Sequence, residues 1–156
     1  MSVSIRLAIK SDIERIARIH REAFARQEHS ESWVSSTLAS TPRILSYVVA
    51  VDDEVVGYIF WAQKAGFRPA AVMELDQIAV LAEFQRRGLG ETLIRDSLLL
   101  VEAQLNESDQ KIKSILVTTR DDNDAQKLYA KVLGVKVAAK IDNLYSATEV
   151  FMIAKR

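Results

Sequence analysis

The chain has 156 residues, 49% hydrophobic and 27% charged, with 21 Lys plus Arg balanced by 21 Asp plus Glu. That length fits one domain with a substantial core, and a formal net charge of +0 gives no overall electrostatic reason to expect a nucleic-acid or membrane partner. With no cysteine, disulfides, thiolate catalysis and cysteine-based metal sites are excluded. No signal-peptide or bilayer-spanning apolar run is visible either, so a cytoplasmic location is the default expectation.

Residues 3–9 alternate and read as a first strand. Ser11-Asp12-Ile13-Glu14 has the form of a capping box and opens a helix, with Ile13, Ile16, Ala17, His20, Ala23 and Phe24 on its inner face. His20 has no second metal-type ligand nearby and reads as packing or a satisfied core histidine. Residues 26–43 are polar, a loop with a short helix near 33–38. Two β-rich runs at 44–51 and 55–61 flank Asp52-Asp53-Glu54, a hairpin by pattern. A loop over 63–69 then leads to a strand over 72–80.

The next stretch, Gln85-Arg86-Arg87-Gly88-Leu89-Gly90, turns the chain into a helix. Leu89, Leu93, Ile94, Leu98, Val101 and Leu105 share one face of that helix. A polar link at 106–111 and a strand at 112–119 follow. The capping-type cluster Asp121-Asp122-Asn123-Asp124 precedes a short helix over 125–133, which Gly134 ends. Residues 135–140 and 149–154 are two closing strands. No repeat, low-complexity segment or linker interrupts the chain, so residues 1–156 are expected to form a single domain. The order β-α-α-β-β-β-α-β-α-β-β mixes hairpins with helical crossovers. It predicts an α/β (α+β mixed) fold, a mixed sheet with helices on its faces.

The turn at 85–90 carries the chemistry. The first N–H groups of a helix lack internal partners, and the helix N-terminus carries partial positive charge, so the place suits a phosphate. Glycines 88 and 90 let a bulky anion approach the backbone, and Arg86 and Arg87 add charge. A dinucleotide fingerprint needs a third glycine where Leu93 stands, and a Walker A loop needs a Gly-Lys-Ser/Thr that does not follow. The turn resembles the coenzyme A loop of the GNAT N-acetyltransferase superfamily, Gln/Arg-x-x-Gly-x-Gly/Ala, with Gln85, Gly88 and Gly90 filling it. The run Leu75-Asp76-Gln77-Ile78-Ala79-Val80 resembles the strand before that loop, and the element order matches the GNAT fold over nearly the whole chain.

That resemblance implies a mostly antiparallel mixed sheet with helices on both faces. Acetyl-CoA, as co-substrate, lies where the strands at 72–80 and 112–119 splay apart. It implies acetyl transfer from acetyl-CoA to a primary amine of a small molecule or protein, by direct attack and with no metal. By motif position, backbone at Ile78, Ala79 and Val80 holds the acetyl and pantetheine groups, and Arg86, Arg87, Gly88, Leu89, Gly90 and Glu91 cradle the pyrophosphate. Glu74 matches the glutamate base of histone-acetylating members. Period-two alternation puts Glu74, Asp76 and Ile78 on one strand face.

The family's Asn-x-x-Ala-x-x-x-Tyr motif, followed by Gly-Phe, resembles the segment 122–135 with departures. Counting back from Tyr129 puts Asp122 at the Asn position, with Asn123 one residue late. Counting from Gly134 restores Asn123 and puts Ala130 at the tyrosine position, and Val135 replaces Phe. Tyr129 is the expected general acid and Asn123 a further cofactor-binding residue. In the family the 26–43 region borders the acceptor, so His29, Glu31 and Trp33 are acceptor-side candidates. The partner is then an amine acceptor of open identity, with a homodimer possible. A non-catalytic acyl-CoA-binding sensor or scaffold of the same fold is the alternative from a different functional class.

Overall fold

The computed structural model describes residues 1–156. Its elements are β1 (Val3–Leu7), α1 (Ile13–Ala23), α2 (Ser30–Leu38), β2 (Ile44–Val51), β3 (Glu54–Lys64), β4 (Ala70–Val80), α3 (Leu89–Glu107), β5 (Lys111–Arg120), α4 (Ala125–Leu133), β6 (Lys136–Ile141) and β7 (Glu149–Lys155). Short 3-10 turns occur at Lys10–Asp12 and Ala82–Phe84. The order of strands and helices is the one the sequence predicts. The strands form a seven-stranded mixed sheet, β1-β2-β3-β4-β5-β7-β6. β4 and β5 pair in parallel, whereas β1 with β2, β5 with β7 and β6 with β7 are antiparallel. No helix is long and apolar enough to cross a membrane.

The chain forms two compact units. The first comprises Met1–Trp61 and Gln77–Val101. Asp52 and Asp53 turn β2 into β3 at φ 49° and 68°, the left-handed pair of a two-residue hairpin turn that suits strand twist. On β3, Tyr58 donates its hydroxyl to Gln77 Oε1 at 2.9 Å, and the same oxygen accepts Trp33 Nε1 of α2 at 3.2 Å. Trp61 instead donates Nε1 to Ser97 Oγ of α3 at 2.9 Å. Three positions apart on a strand, Tyr58 and Trp61 point to opposite faces, so α2 and α3 cover opposite faces of β3. The six expected stripe residues of α3 are all buried.

The structure departs from the sequence pattern at three places in the first unit. Ser11 and Asp12 do not cap α1: the Asp12 carboxylate turns back to accept the Ile9 N–H at 2.8 Å and the Arg6 guanidinium at 2.8 and 3.0 Å. Burial alone would raise the Asp12 carboxyl, but Arg6 and Ile9 outweigh it and hold it below its usual value. On α1, Ile19 takes an inward place beside Ile16, Ala17 and His20, while Ala23 is exposed. α2 begins at Ser30 and not near Trp33, entered from a left-handed His29 at φ 54°.

The second unit comprises Ala62–Asp76 and Glu102–Arg156. Its β4–β5 ladder runs from Ala70↔Lys111 to Leu75↔Val117, with a bulge after Ala71. β5 pairs with β7 from Ser114↔Lys155 to Arg120↔Glu149. The buried apolar residues include Ile115, Val117, Tyr129, Leu133, Val135, Val150 and Met152. Gly134 closes α4 in the left-handed region, φ 72°, with its N–H on Ala130 O at 3.0 Å. Val135 is buried just ahead of β6, which therefore starts one residue later than the pattern implies.

Candidate active-site residues

Within the first unit, the last residues of β4 and the turn after them are built together. Leu81 N–H bonds to Val56 O of β3 at 2.9 Å. The backbone groups of successive strand residues face opposite edges, so those of Val80 and Ile78 point away from β3. Val80 O accepts Gln85 Nε2 at 2.9 Å, so the first residue of the turn motif clamps the strand end. Gly57 makes the close approach of β3 to this strand possible. A Cβ there would lie 2.8 Å from Ala79 O and 2.8 Å from Val49 Cγ1.

The turn itself carries Arg86 at φ 62° and Gly88 at φ 77°, two left-handed residues that redirect the chain into α3. A Cβ at Gly88 would have nothing within 4 Å, so the surface over it is open. Thr92 N–H reaches Gly88 O at 3.0 Å and closes the first helical turn. The Leu89 and Gly90 amides precede that bond, at the positive end of a 19-residue helix. Arg86 is exposed. Arg87 folds back, donating to Glu83 O at 3.1 Å with its guanidinium carbon 5.0 Å from the Phe84 ring centroid.

In the second unit, alternation along β4 gives Glu74 a side-chain exposure of 13%. Its Oε1 lies 3.4 Å from Lys64 Nζ and its Oε2 3.5 Å from Thr118 Oγ1. Asp76 sits two residues on. Dehydration by surrounding protein, then repulsion from Glu74, raises its pKa, while Lys64 acts in the other direction. Tyr129 is buried, and burial pushes its phenol up to about 12. It shares the inner face of α4 with Leu133, whereas Ala130 is exposed. Asn123 uses both ends of its amide: Oδ1 accepts the Ala125 N–H at 2.9 Å, and Nδ2 donates to Thr119 Oγ1 at 2.8 Å. It thus caps α4 in place of the Asp124 side chain. No group of three His, Asp or Glu side chains that could hold a metal ion forms.

Residues 13–135 match the sequence pattern of the acetyltransferase (GNAT) family. The chain belongs to that family. Among curated relatives, an N-alpha-acetyltransferase of Sulfolobus acidocaldarius is 29% identical over 123 residues, covering 70% of this chain and 68% of the relative. The fold is shared with Ard1 from Thermoplasma volcanium at a TM-score of 0.80 and 23% identity, covering 99% of this chain and 98% of that one. It is shared equally with Arabidopsis thaliana NAA60, solved in complex with a bisubstrate analogue, at 0.80 and 14% identity, again over 99% and 98%.

As a GNAT N-acetyltransferase chain, the protein places Ile78, Ala79, Val80 and the 86–91 turn in its first unit, and Glu74, Asn123 and Tyr129 in its second. Trp33 is half-exposed and tethered to Gln77, while His29 and Glu31 are exposed. Lys64, Thr118 and the inward Gln77 are given no role by any sequence motif named above. Gln77 had a visible signal, being the one polar residue in the buried series Ala71, Met73, Leu75, Gln77, Ala79. Lys64 and Thr118 lie on other strands and had none.

Proposed function

We propose that this GNAT enzyme transfers an acetyl group from acetyl-CoA to the α-amine at the N-terminus of a polypeptide. The observation that carries the reading is the turn into α3: left-handed Gly88 under open space, the helix-start amides and Arg86 together fit a pyrophosphate. The acceptor class follows the curated N-alpha-acetyltransferase relative. Residues 1–156 act as one acetyltransferase domain in this scheme.

Bound acetyl-CoA supplies the acetyl thioester. The chain's residues do the rest. Arg86, Gly88, Leu89, Gly90 and Glu91 hold the pyrophosphate, joined by Arg87 once its contact with Phe84 is released. The Val80 N–H, facing away from β3, donates to the thioester carbonyl as negative charge grows there. Glu74 takes the proton from the amine, directly or through a water, and Lys64 and Thr118 hold its carboxylate in place. An α-amine has a pKa of about 7.7–8.0, so near neutral pH the base has much less to do than for a lysine at about 10.4. Tyr129 protonates the leaving thiolate.

Thermal unfolding with added ligand tests the donor site. Acetyl-CoA at a hundred times its dissociation constant should add about 2.7 kcal/mol, a rise of roughly 5–11 °C for a chain of this size. CoA should act similarly and NADPH should not. No shift with millimolar acetyl-CoA or CoA would remove the pyrophosphate assignment.

A further inference from the structure

His20 takes no part in the chemistry above, yet it is fully buried and both its ring nitrogens are engaged. Nδ1 lies 2.7 Å from Ser30 Oγ and Nε2 2.8 Å from Gln27 Oε1. The Gln27 oxygen can only accept, so Nε2 carries a proton, and in the neutral ring Nδ1 accepts from the serine hydroxyl. Burial lowers the pKa of His20, which favours that neutral form over the imidazolium. Its ring stacks on Trp33 at 6.4 Å and leans on Phe24 at 5.3 Å. One side chain thus grips the 24–33 segment at four points.

The part of that segment ahead of α2 has few other fixed points, among them the Gln27 N–H on Phe24 O at 2.9 Å. Residues 25–29 are all exposed and lie outside regular structure. Ordering backbone costs about 1–2 kcal/mol per residue, so a few fixed points decide whether such a segment holds one shape. At its far end the grip continues into the sheet. Trp33 Nε1 donates to Gln77 Oε1, which also takes the buried Tyr58 hydroxyl, and Gln77 directly precedes Ile78 in β4. Ser30, His20 and Gln27 have the connectivity of a nucleophilic triad. Ser30 and His20 are both buried, however, which suits a structural bond and not attack on a substrate.

We propose that His20 is a positioning residue for the acceptor: by holding Gln27 and Ser30 and backing Trp33, it fixes the α1–α2 connection and the start of α2, from which Trp33 bonds to Gln77 of β4. Acceptor capture then depends on His20 and acetyl-CoA capture does not. The inference rests on the acetyl-transfer reading above.

The test uses His20→Phe, which keeps a ring but loses both hydrogen bonds, with Ser30→Ala and Gln27→Ala each removing one. Acrylamide quenching reads the clamp without any substrate, because Trp33 is 44% exposed and the other tryptophan, Trp61, is 0% exposed. In His20→Phe the accessible tryptophan should quench more readily. The acceptor KM should rise about tenfold, with kcat within about twofold and the acetyl-CoA dissociation constant unchanged. Ser30→Ala and Gln27→Ala should each give a smaller rise, and they decide the matter if His20→Phe does not fold. Unchanged quenching and unchanged acceptor KM in folded variants would overturn the proposal. So would an equal loss of acetyl-CoA affinity, which marks a general structural role. If wild-type protein transfers no acetyl group while His20→Phe still quenches more readily, the clamp stands and its link to catalysis is rejected.

Discussion

Burial that pushes the Tyr129 phenol up to about 12 keeps it protonated through any workable assay range, which is the state a general acid needs. Tyr129→Phe should lower kcat about a hundredfold with little change in KM. Wild-type kcat should rise with pH as the amine loses its proton and should show no falling limb up to about pH 9.5. Full turnover in the variant would assign the tyrosine to packing alone. His20 makes a different prediction. Burial, the largest cause, lowers its folded pKa, so the unfolded chain binds the extra proton first. The contribution is fully present above the unfolded value of about 6.5 and is lost as pH falls towards the folded value. Thermal stability should therefore decline from pH 7 to 5.5, and His20→Phe should flatten that slope. An unchanged slope would place the titration elsewhere.

At the scale of elements, two glycines divide fold from site. A Cβ at Gly57 would push on the Ala79 carbonyl and the Val49 side chain at 2.8 Å, so Gly57→Ala should cost about 1–3 kcal/mol by overpacking. Gly88→Ala meets no neighbour. It should cost only about 1–2 kcal/mol for its left-handed backbone, yet weaken acetyl-CoA binding more than Gly57→Ala does. Chemical denaturation and calorimetric titration of both variants separate the two effects.

Locally marked elements were the legible ones. The α3 stripe follows from spacing, β2 from an unbroken β-favouring run that is buried on both faces, and α4 from its capping cluster and Gly134. The start of α2 was not legible, since its serine-rich first turn has no apolar period and its entry depends on a left-handed histidine. Asp12 misled for a related reason. A capping-box pattern cannot reveal that Arg6, six residues earlier, offers the carboxylate a stronger partner.

For the whole molecule, chain order sufficed to anticipate the sheet, because each hairpin and crossover was marked in sequence. The turn at 85–90 was legible as a change of chain direction, because glycines announce backbone conformation and Gly88 takes the left-handed region there. The side-chain chemistry was less so. Glu74 meets Lys64 and Thr118 across neighbouring strands, and Asn123 spends its amide on Thr119 and Ala125. Such partnerships depend on register, which pattern alone does not assign.

The amine that carries the acetyl group after turnover identifies the acceptor. The direct measurement is tandem mass spectrometry of a peptide bearing both a free α-amine and an internal lysine, after incubation with the protein and acetyl-CoA. The mechanism predicts a single added acetyl on the N-terminal residue, with the lysine unmodified and an N-terminally blocked peptide inert. Acetyl on the lysine, or no acetyl on any of a broad panel of N-termini while CoA is released with a small amine, would contradict it.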